Sequence, residues 1–128
     1  MLDTHVALWA VTAPERLSAT MADLIADPDN DVAVSIASLW ELAIKRPLQR
    51  GTDWDIGMPA ERAAAEFRAA SLDILAIEVR HLSALEALPP HHGDPFDRLL
   101  VAIAHADTYR LVTHDKRLAA YGDHVLLV

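Results

Sequence analysis

Short apolar runs alternate with amphipathic stretches along the chain. The apolar runs have the length of buried strands, and we predict strands over residues 32–35, 72–77, 111–113 and 125–128. The stretches between them carry apolar residues at helical spacing, which predicts helices over residues 5–11, 18–26, 36–46, 59–70, 79–88, 96–107 and 116–121. Because strands and helices alternate, we expect a mainly parallel sheet covered on both faces by helices.

The start of the chain fits this pattern poorly. Only Met1 and Leu2 precede Asp3 and Thr4, a pair typical of the end of a strand. Either the opening strand is unusually short or a few natural residues precede Met1. Residues 51–58, where Trp54 lies between two aspartates, are the stretch that we expect to form a mobile loop.

The composition favours one domain over residues 1–128 with its own hydrophobic core. Apolar residues make up 52% of the 128 positions, and no repeat or low-complexity tract divides them. A chain of this length buries roughly two thirds of its unfolded surface, so the fold needs no disulfide or structural metal. The absence of cysteine excludes a disulfide scaffold, a thiolate zinc site and a cysteine nucleophile.

Charge and hydropathy restrict where the protein is expected to act and which partners it can have. No apolar run approaches the roughly 20 residues of a membrane span and no signal-peptide pattern opens the chain, so we expect a cytoplasmic protein with no membrane partner. The chain has 19 acidic and 11 basic residues, and its net charge of −8 argues against a protein that coats DNA through a basic surface. The charge does not exclude a nuclease whose acidic residues hold cations.

Four acidic residues stand where strands end or helices begin. Asp3 and Asp115 follow apolar runs, Asp97 lies in the first turn of a predicted helix, and Glu41 lies one turn into another. Ligands of open parallel sheets bind beyond the carboxyl ends of the strands, so we expect these carboxylates to converge. Converging carboxylates repel one another unless a cation lies among them. Hard oxygen ligands suit Mg²⁺ or Mn²⁺, and such a site can promote hydrolysis of a phosphodiester.

Each acid also has a purely structural explanation. Asp3, Asp97 and Asp115, taken singly, suit helix N-caps or first turns, and Glu41 can pair with Lys45 across one helical turn. We expect the apolar stripe of the helix that carries Glu41 to face the core, and this stripe comprises Ile36, Leu39, Trp40, Ala43 and Ile44. Glu41 then lies on the flank, as a surface salt bridge or at the lip of a pocket.

Basic and hydroxyl side chains accompany the acids. The basic residues are Lys45, Arg46, Arg50, Arg98, Lys116 and Arg117. Each suits a solvated helix face, but together they can bind phosphates beside a metal, with Arg98 the strongest candidate by position. Thr4, Ser38 and Thr113 either orient carboxylates and waters or bind the local backbone. The candidate substrate-binding residues are Thr4, Lys45, Arg98, Thr113 and Lys116.

The loop before Asp97 needs a separate interpretation. Asp94 precedes Pro95, which is the order typical of an N-cap followed by the first helical residue, so we interpret Asp94 mainly as a cap. His91 and His92 resemble a metal-binding pair. Adjacent histidines in a loop with Pro and Gly point apart, and we expect both to be solvated.

Four segments carry motifs in a fixed order. They are Leu2-Asp3-Thr4-His5, then Ser35-Ile36-Ala37-Ser38-Leu39-Trp40-Glu41 with Lys45, then His92-Gly93-Asp94-Pro95-Phe96-Asp97-Arg98-Leu99-Leu100, and finally Leu111-Val112-Thr113-His114-Asp115 followed by Ala120-Tyr121-Gly122. Together they resemble the PIN-domain ribonucleases and, among these, the VapC-like toxins of bacterial toxin–antitoxin pairs. The resemblance covers nearly the whole chain.

This resemblance implies a three-layer α/β/α fold and Mg²⁺- or Mn²⁺-dependent endonucleolytic cleavage of RNA. Matched by motif, the catalytic, metal-binding acids of the family fall on Asp3, Glu41, Asp97 and Asp115. The resemblance also implies a homodimer that is silenced by a VapB-like antitoxin covering the acidic site. Two departures are the short start and His114, which stands where arginine is common and makes a phosphate contact weaker or pH-dependent.

Two other functions use the same acids. One is a PIN-like RNA-binding module without turnover, and the other is a metal-dependent DNase or phosphatase. No motif indicates which RNA is bound, because such specificity comes from loop shape and unpaired bases.

Overall fold

The computed structural model describes residues 1–45 and 58–128, which form a three-layer α/β/α sandwich around parallel strands. The helices are α1 (Thr4–Thr12), α2 (Ala19–Ala26), α3 (Ile36–Lys45), α4 (Ala60–Ala69), α5 (Val79–Ala87) and α6 (Pro95–Ala106). Short 3-10 helices cover Pro14–Arg16 and Lys116–Tyr121. The strands are β1 (Ala33–Ser35), β2 (Asp73–Leu75), β3 (Leu111–Thr113) and β4 (Val125–Leu127). The predicted fold class is confirmed.

Leu2 joins the two halves of the sheet. Strand β1 pairs in parallel with β2, and β3 pairs in parallel with β4. Leu2 forms parallel bridges to Val34 of β1 and Val112 of β3, which gives the order β2-β1-Leu2-β3-β4. The N–H of Leu2 donates to the carbonyl of Ala33 (2.8 Å), and the N–H of Asp3 donates to that of Val112 (3.0 Å). The opening strand is therefore short but central, and it delivers Asp3 to the carboxyl edge.

Neighbouring residues of the central strands point into opposite layers. Leu2 and Val112 face one apolar cluster, built with Val6, Leu8, Met21, Leu42 and Phe67. Met1 and Leu111 face the other, built with Leu99, Leu100, Ile103 and Leu118. Each large side chain buried this way stabilises the fold by about 1.5 to 3 kcal/mol. Through these two clusters, α1 and α6 pack against opposite faces of the sheet.

Helix α3 packs with the face opposite to the predicted one. Ile36, Trp40 and Ile44 are 44%, 52% and 44% exposed, so the expectation that this stripe faces the core is wrong for these three residues, whereas Leu39 packs against the core. The buried face of α3 comprises Ala37, Ser38, Glu41 and Leu42. Two of these are small, which lets the helix approach the sheet closely, and the polar ones find hydrogen-bond partners there. Periodicity groups positions on one face without saying which face is inside.

The remaining boundaries agree with the prediction to within one or two residues, except that the 3-10 helix at Pro14–Arg16 has no predicted counterpart. The predicted loop over residues 51–58 lies, apart from Met58, outside the described residues. Among the helices of the described ranges, none has the length and apolar character needed to cross a bilayer.

Candidate active site

The four predicted acids line one cavity at the carboxyl edge of the sheet. The cavity has a volume of about 400 Å³. Its lining comprises Asp3, His5, Glu41, Lys45, Asp94, Asp97, His114, Asp115, Lys116 and Arg117. The expected convergence of the carboxylates is therefore confirmed.

Asp3 serves as a helix cap and as part of the cavity at once. Its side chain is almost fully buried, and Oδ1 accepts the N–H of Val6 at 2.7 Å, which caps α1. Oδ2 lies 4.0 Å from Nδ1 of His114. Burial raises the pKa of Asp3, although hydrogen bonds from the Thr113 side chain and the Val6 backbone act in the opposite direction. Asp3 therefore caps α1 through one oxygen while its carboxylate lines the cavity.

Asp115 also combines capping with a place in the cavity. Its Oδ1 accepts the N–H of Arg117 at 2.9 Å at the start of the final 3-10 helix. The Arg117 guanidinium donates to both carboxylate oxygens, with Nη2 lying 2.5 Å from Oδ2. Mainly through these hydrogen bonds, Arg117 holds the pKa of Asp115 well below its usual range. Arg117 therefore favours the ionised form of Asp115.

Glu41 is buried, with 2% of its surface exposed, rather than lying on a surface flank. The Thr4 hydroxyl donates to Oε2 at 2.6 Å and also lies 2.9 Å from Oγ of Ser38. The ammonium group of Lys45 donates to Oε1 at 2.5 Å. The predicted pair with Lys45 is present, and Glu41 lines a cavity as one of the two predicted positions required. It is buried on the inward face of α3, so the alternative of a surface salt bridge is wrong.

Lys45 links Glu41 to the cap of α6. Its Nζ lies 2.9 Å from Oδ2 of Asp94, whose Oδ1 accepts the N–H of Phe96 at 2.8 Å. The interpretation of Asp94 as an N-cap is confirmed, and the ion pair is an additional role. Burial acts to lower the pKa of Lys45, but its hydrogen bonds to Glu41 and Asp94 outweigh burial and raise it. Burial acts to raise the pKa of Asp94, but the hydrogen bonds from Lys45 and the Phe96 backbone outweigh burial and lower it.

Burial and neighbouring negative charges both resist the ionisation of Asp97. Its pKa is raised to about 6, first by burial and then by the negative charges of Asp94 and Glu41. The ring of His92 acts in the opposite direction. An arrangement that raises the pKa of a carboxyl toward neutrality is typical of a functional site.

His92 is the site residue that the sequence interpretation missed. The expectation of two solvated histidines is wrong for His92, whose side chain is only 4% exposed, whereas His91 is exposed. Nδ1 of His92 lies 3.5 Å from Oδ2 of Asp97, and Nε2 lies 3.4 Å from Oδ2 of Asp115. The signal was its place two residues before the cap of α6: its Nδ1 accepts the N–H of Asp94 at 3.1 Å.

The candidate substrate-binding residues divide into three groups. Thr4 and Thr113 are buried and orient carboxylates, since Thr113 hydrogen-bonds Asp3 and accepts the N–H of Asp115 at 3.0 Å. Lys45 and Lys116 line the cavity. Arg98 instead lines a neighbouring depression, and its Nη2 donates to the carbonyl of Leu88 at 3.3 Å. Arg46 and Arg50 lie outside the described residues.

The donor set fits a hard divalent cation. Asp97 and Asp115, together with His92, bring two carboxylate oxygens and a ring nitrogen within 4.8 Å of one another. Nε2 of His92 is buried and has no hydrogen-bond partner among the described residues. Mutually repelling carboxylates are stabilised when a cation that takes oxygen ligands lies between them.

Two comparisons with known proteins agree with this geometry. Residues 1–123 match the model of the PIN domain. The chain is also 33% identical over 122 residues to Ribonuclease VapC22 of Mycobacterium tuberculosis, an alignment that covers 94% of this chain and 90% of the relative.

Proposed function

Because the chain belongs to the PIN-domain family and is a VapC-like member of it, we propose that it is a metal-dependent endoribonuclease and the toxin of a toxin–antitoxin pair. The observation that carries this proposal is the convergence of four carboxylates, from elements far apart in sequence, in one cavity at the carboxyl edge of the sheet. We expect it to act in the cytoplasm, where its RNA substrate is made.

Asp3, Glu41, Asp97 and Asp115 are the proposed catalytic residues and would hold Mg²⁺ or Mn²⁺. A cation bound there supplies Lewis acidity and neutralises charge that develops on the phosphodiester. The remaining chemistry belongs to the chain. The carboxylates orient the attacking water, while Thr4 and Lys45 fix Glu41 through both of its oxygens.

Basic side chains around the cavity are proposed to bind the RNA backbone. Lys116 lines the cavity and is assigned to the phosphate at the cleavage point. Arg98 lies in the neighbouring depression and is assigned to an adjacent phosphate. Thr4 and Thr113 are assigned to carboxylate positioning instead of substrate contact, because their side chains are buried.

Two protein partners belong to the proposal. One is a VapB-like antitoxin that covers the acidic cavity, as the resemblance to the VapC-like toxins implies. The other is a second copy of the chain. Ile36, Trp40 and Ile44 form an exposed apolar face on α3. Exposed apolar patches often mark protein–protein interfaces, so this face is a candidate contact for either partner.

The function is tested by offering the protein three substrates under identical conditions: RNA, single-stranded DNA and a phosphomonoester. We expect endonucleolytic cleavage of RNA alone, dependent on Mg²⁺ or Mn²⁺. Asp97→Asn should abolish it, whereas Asp23→Asn, the same change at an exposed position on α2, should not. Binding of RNA without cleavage would favour the binding module, and preferential turnover of either other substrate would favour a DNase or phosphatase.

A further inference from the structure

His92 is held in a fixed orientation by its own backbone neighbourhood. The backbone N–H of His92 donates to the hydroxyl of Tyr121 at 3.1 Å, and the ring atom Nδ1 accepts the backbone N–H of Asp94 at 3.1 Å. The ring is packed between the first turn of α6 and the loop that carries Asp115. Hydrogen bonds thus hold both the backbone and the ring of His92 without any ligand.

The bond from Asp94 decides which ring nitrogen of His92 carries the proton. A neutral imidazole has one donor nitrogen and one acceptor nitrogen. Since Nδ1 accepts a backbone N–H, the proton lies on Nε2. Nε2 is therefore a donor, and it is buried without a hydrogen-bond partner among the described residues.

The acceptor that faces this donor is Asp115. Its Oδ2 lies 3.4 Å from Nε2, while its other contacts come from Arg117, which is 72% exposed. A small rotation of the carboxylate converts the contact with His92 into a hydrogen bond. A buried donor without a partner disfavours the present orientation, and Nε2 competes for Oδ2 with the exposed guanidinium of Arg117.

We propose that His92 is a positioning residue that donates from Nε2 to Asp115 and holds this carboxylate beside Asp97. The inference rests on the proposed metal site, because oriented carboxylate ligands are themselves hydrogen-bonded by a surrounding shell. It assigns His92 to that shell and not to the metal itself.

The first test is the ¹⁵N spectrum of histidine-labelled wild-type protein, recorded at a pH at which the spectrum shows the His92 ring to be neutral, with His92 assigned from the spectrum of His92→Gln. We expect an unprotonated Nδ1 and a protonated Nε2. A proton on Nδ1 would overturn the proposal, and this readout is independent of any activity.

The second test is the affinity for Mn²⁺ of wild type, His92→Leu and His92→Gln, measured by calorimetry. Loss of a residue in the surrounding shell should weaken binding about 10- to 100-fold in His92→Leu. Glutamine can place an N–H near the position of Nε2 and should restore most of the affinity. Equal affinity in all three proteins, or a directly coordinated His92 nitrogen in the electron spin echo spectrum of bound Mn²⁺, would contradict the assignment. No binding of Mn²⁺ to wild type would instead contradict the proposed function.

A second, independent feature is a rim of three rings beside the cavity. His114 lies 5.4 Å from His5 and 4.8 Å from Trp9, measured between ring centroids. The far side of this group is closed by Arg16, whose guanidinium carbon lies 4.8 Å from the Trp9 ring centre. His114 is therefore backed by a packed aromatic group, while 45% of its own side chain is exposed.

The rim stands where a nucleotide next to the cleavage point would lie. His114 lines the cavity, and its Nδ1 is 4.0 Å from a carboxylate oxygen of Asp3. The net charge of −8 limits how much of the affinity for a polyanion can come from charge alone. Stacking on an aromatic ring supplies affinity for any unpaired base without added positive charge.

We infer that His114, supported by Trp9, is the stacking subsite for an unpaired nucleobase adjacent to the cleaved phosphate. This inference also rests on the proposed function. It is tested in the non-cleaving Asp97→Asn background with a fluorescent oligouridylate in Mg²⁺, by anisotropy. Adding His114→Ala should weaken binding about 10-fold, whereas His114→Phe should keep it, because stacking needs the ring and not the charge.

An abasic site moved along the oligonucleotide locates the base. In the Asp97→Asn protein one position should weaken binding, and the same position should have no effect once His114 is alanine. Equal weakening by His114→Ala and His114→Phe would overturn stacking in favour of a charge contact, and no weakening by either would remove His114 from the site. Failure of the Asp97→Asn protein to bind RNA would instead count against the proposed function.

Discussion

Lys45 on α3 and Asp94 at the cap of α6 form an ion pair with an N–O distance of 2.9 Å across 49 residues of sequence. The same ammonium group contacts Glu41, so Lys45 links Glu41 to the cap of the helix that carries Asp97. Asp94 thereby combines two separable functions, since one oxygen caps the helix and the other anchors Lys45.

Substitutions at Asp94 should separate these two functions. Asp94→Ala removes both and should lower the free energy of unfolding by about 0.5 to 2 kcal/mol, while leaving much of the activity of the folded protein. Asp94→Asn keeps a capping oxygen and should lose less stability. Chemical denaturation and RNA cleavage measure the two effects. A stable but inactive Asp94→Ala would show that Asp94 belongs to the catalytic set.

The pKa of Asp97 predicts an unusual dependence of stability on pH in the metal-free protein. The folded-state pKa of about 6 lies above the ordinary value of 3.8, so between these values the folded protein binds more protons than the unfolded chain. The contribution of Asp97 to the free energy of unfolding therefore rises as the pH falls from about 6 to about 4, and it is absent at neutral pH. A difference of about two pH units corresponds to at most about 2.7 kcal/mol, and the side chain's partial exposure reduces this to about 1 to 2 kcal/mol.

Asp97→Asn should remove that dependence and raise the melting temperature of the metal-free protein at pH 7, because it removes a charge and preserves the shape. Denaturation of wild type and variant in chelator, at pH 4.5 and at pH 7, measures the difference. A variant that melts below wild type at pH 7 would show that repulsion at Asp97 does not destabilise the fold.

Divalent metal should reverse the order of stability. A cation that binds only the folded protein stabilises it by RT ln(1 + [L]/Kd), about 2.7 kcal/mol at a hundredfold excess over Kd. Wild type should gain this in millimolar Mn²⁺, and Asp97→Asn should gain much less. Equal shifts of melting temperature in the two proteins would exclude Asp97 from the metal site.

A second buried histidine provides a control remote from the cavity. His81 is fully buried, its Nδ1 accepts the N–H of Glu78 at 2.9 Å, and its Nε2 lies 3.0 Å from Oδ2 of Asp107. His81→Phe leaves these polar groups without their partner and should cost about 1 to 3 kcal/mol of stability. Mn²⁺ affinity per folded molecule should not change, because His81 does not belong to the described lining of the cavity. A loss of affinity would reveal coupling between α5 and the site.

The chemistry of the products is also predicted. Carboxylates that orient water, with no role for the 2′-hydroxyl of RNA as nucleophile, should leave a 3′-hydroxyl and a 5′-phosphate. End-labelling and mass spectrometry of the fragments identify the termini. Fragments that end in a 2′,3′-cyclic phosphate would contradict a water nucleophile.

The sequence predicted the parts of the site that depend on local signals and chain order. Asp3 and Asp115 follow apolar runs and Asp97 opens a helix, so the geometry of a parallel sheet brings them together. Orientation was harder to predict. The face of α3 that carries Glu41 turns inward because Thr4 and Lys45, one from another helix, satisfy its carboxylate, and no periodicity within α3 contains that information.

His92 shows the same limit on a smaller scale. Its burial depends on the hydroxyl of Tyr121, 29 residues away, and on carboxylates from two elements. The local sequence around two adjacent histidines does not predict any of these long-range contacts. Leu2 is similar, because a two-residue strand becomes central only through hydrogen bonds with β1 and β3.

The central claim is that the four carboxylates hold a divalent cation for cleavage of RNA. Its most direct test is the rate at which wild type and Asp97→Asn, purified alike, cleave one defined RNA as free Mn²⁺ is titrated from chelator upward. The account predicts no cleavage by wild type in chelator, a rate that saturates with Mn²⁺, and no cleavage by Asp97→Asn at any concentration. Cleavage by wild type that persists in chelator, or an Asp97→Asn titration that matches wild type, would contradict it.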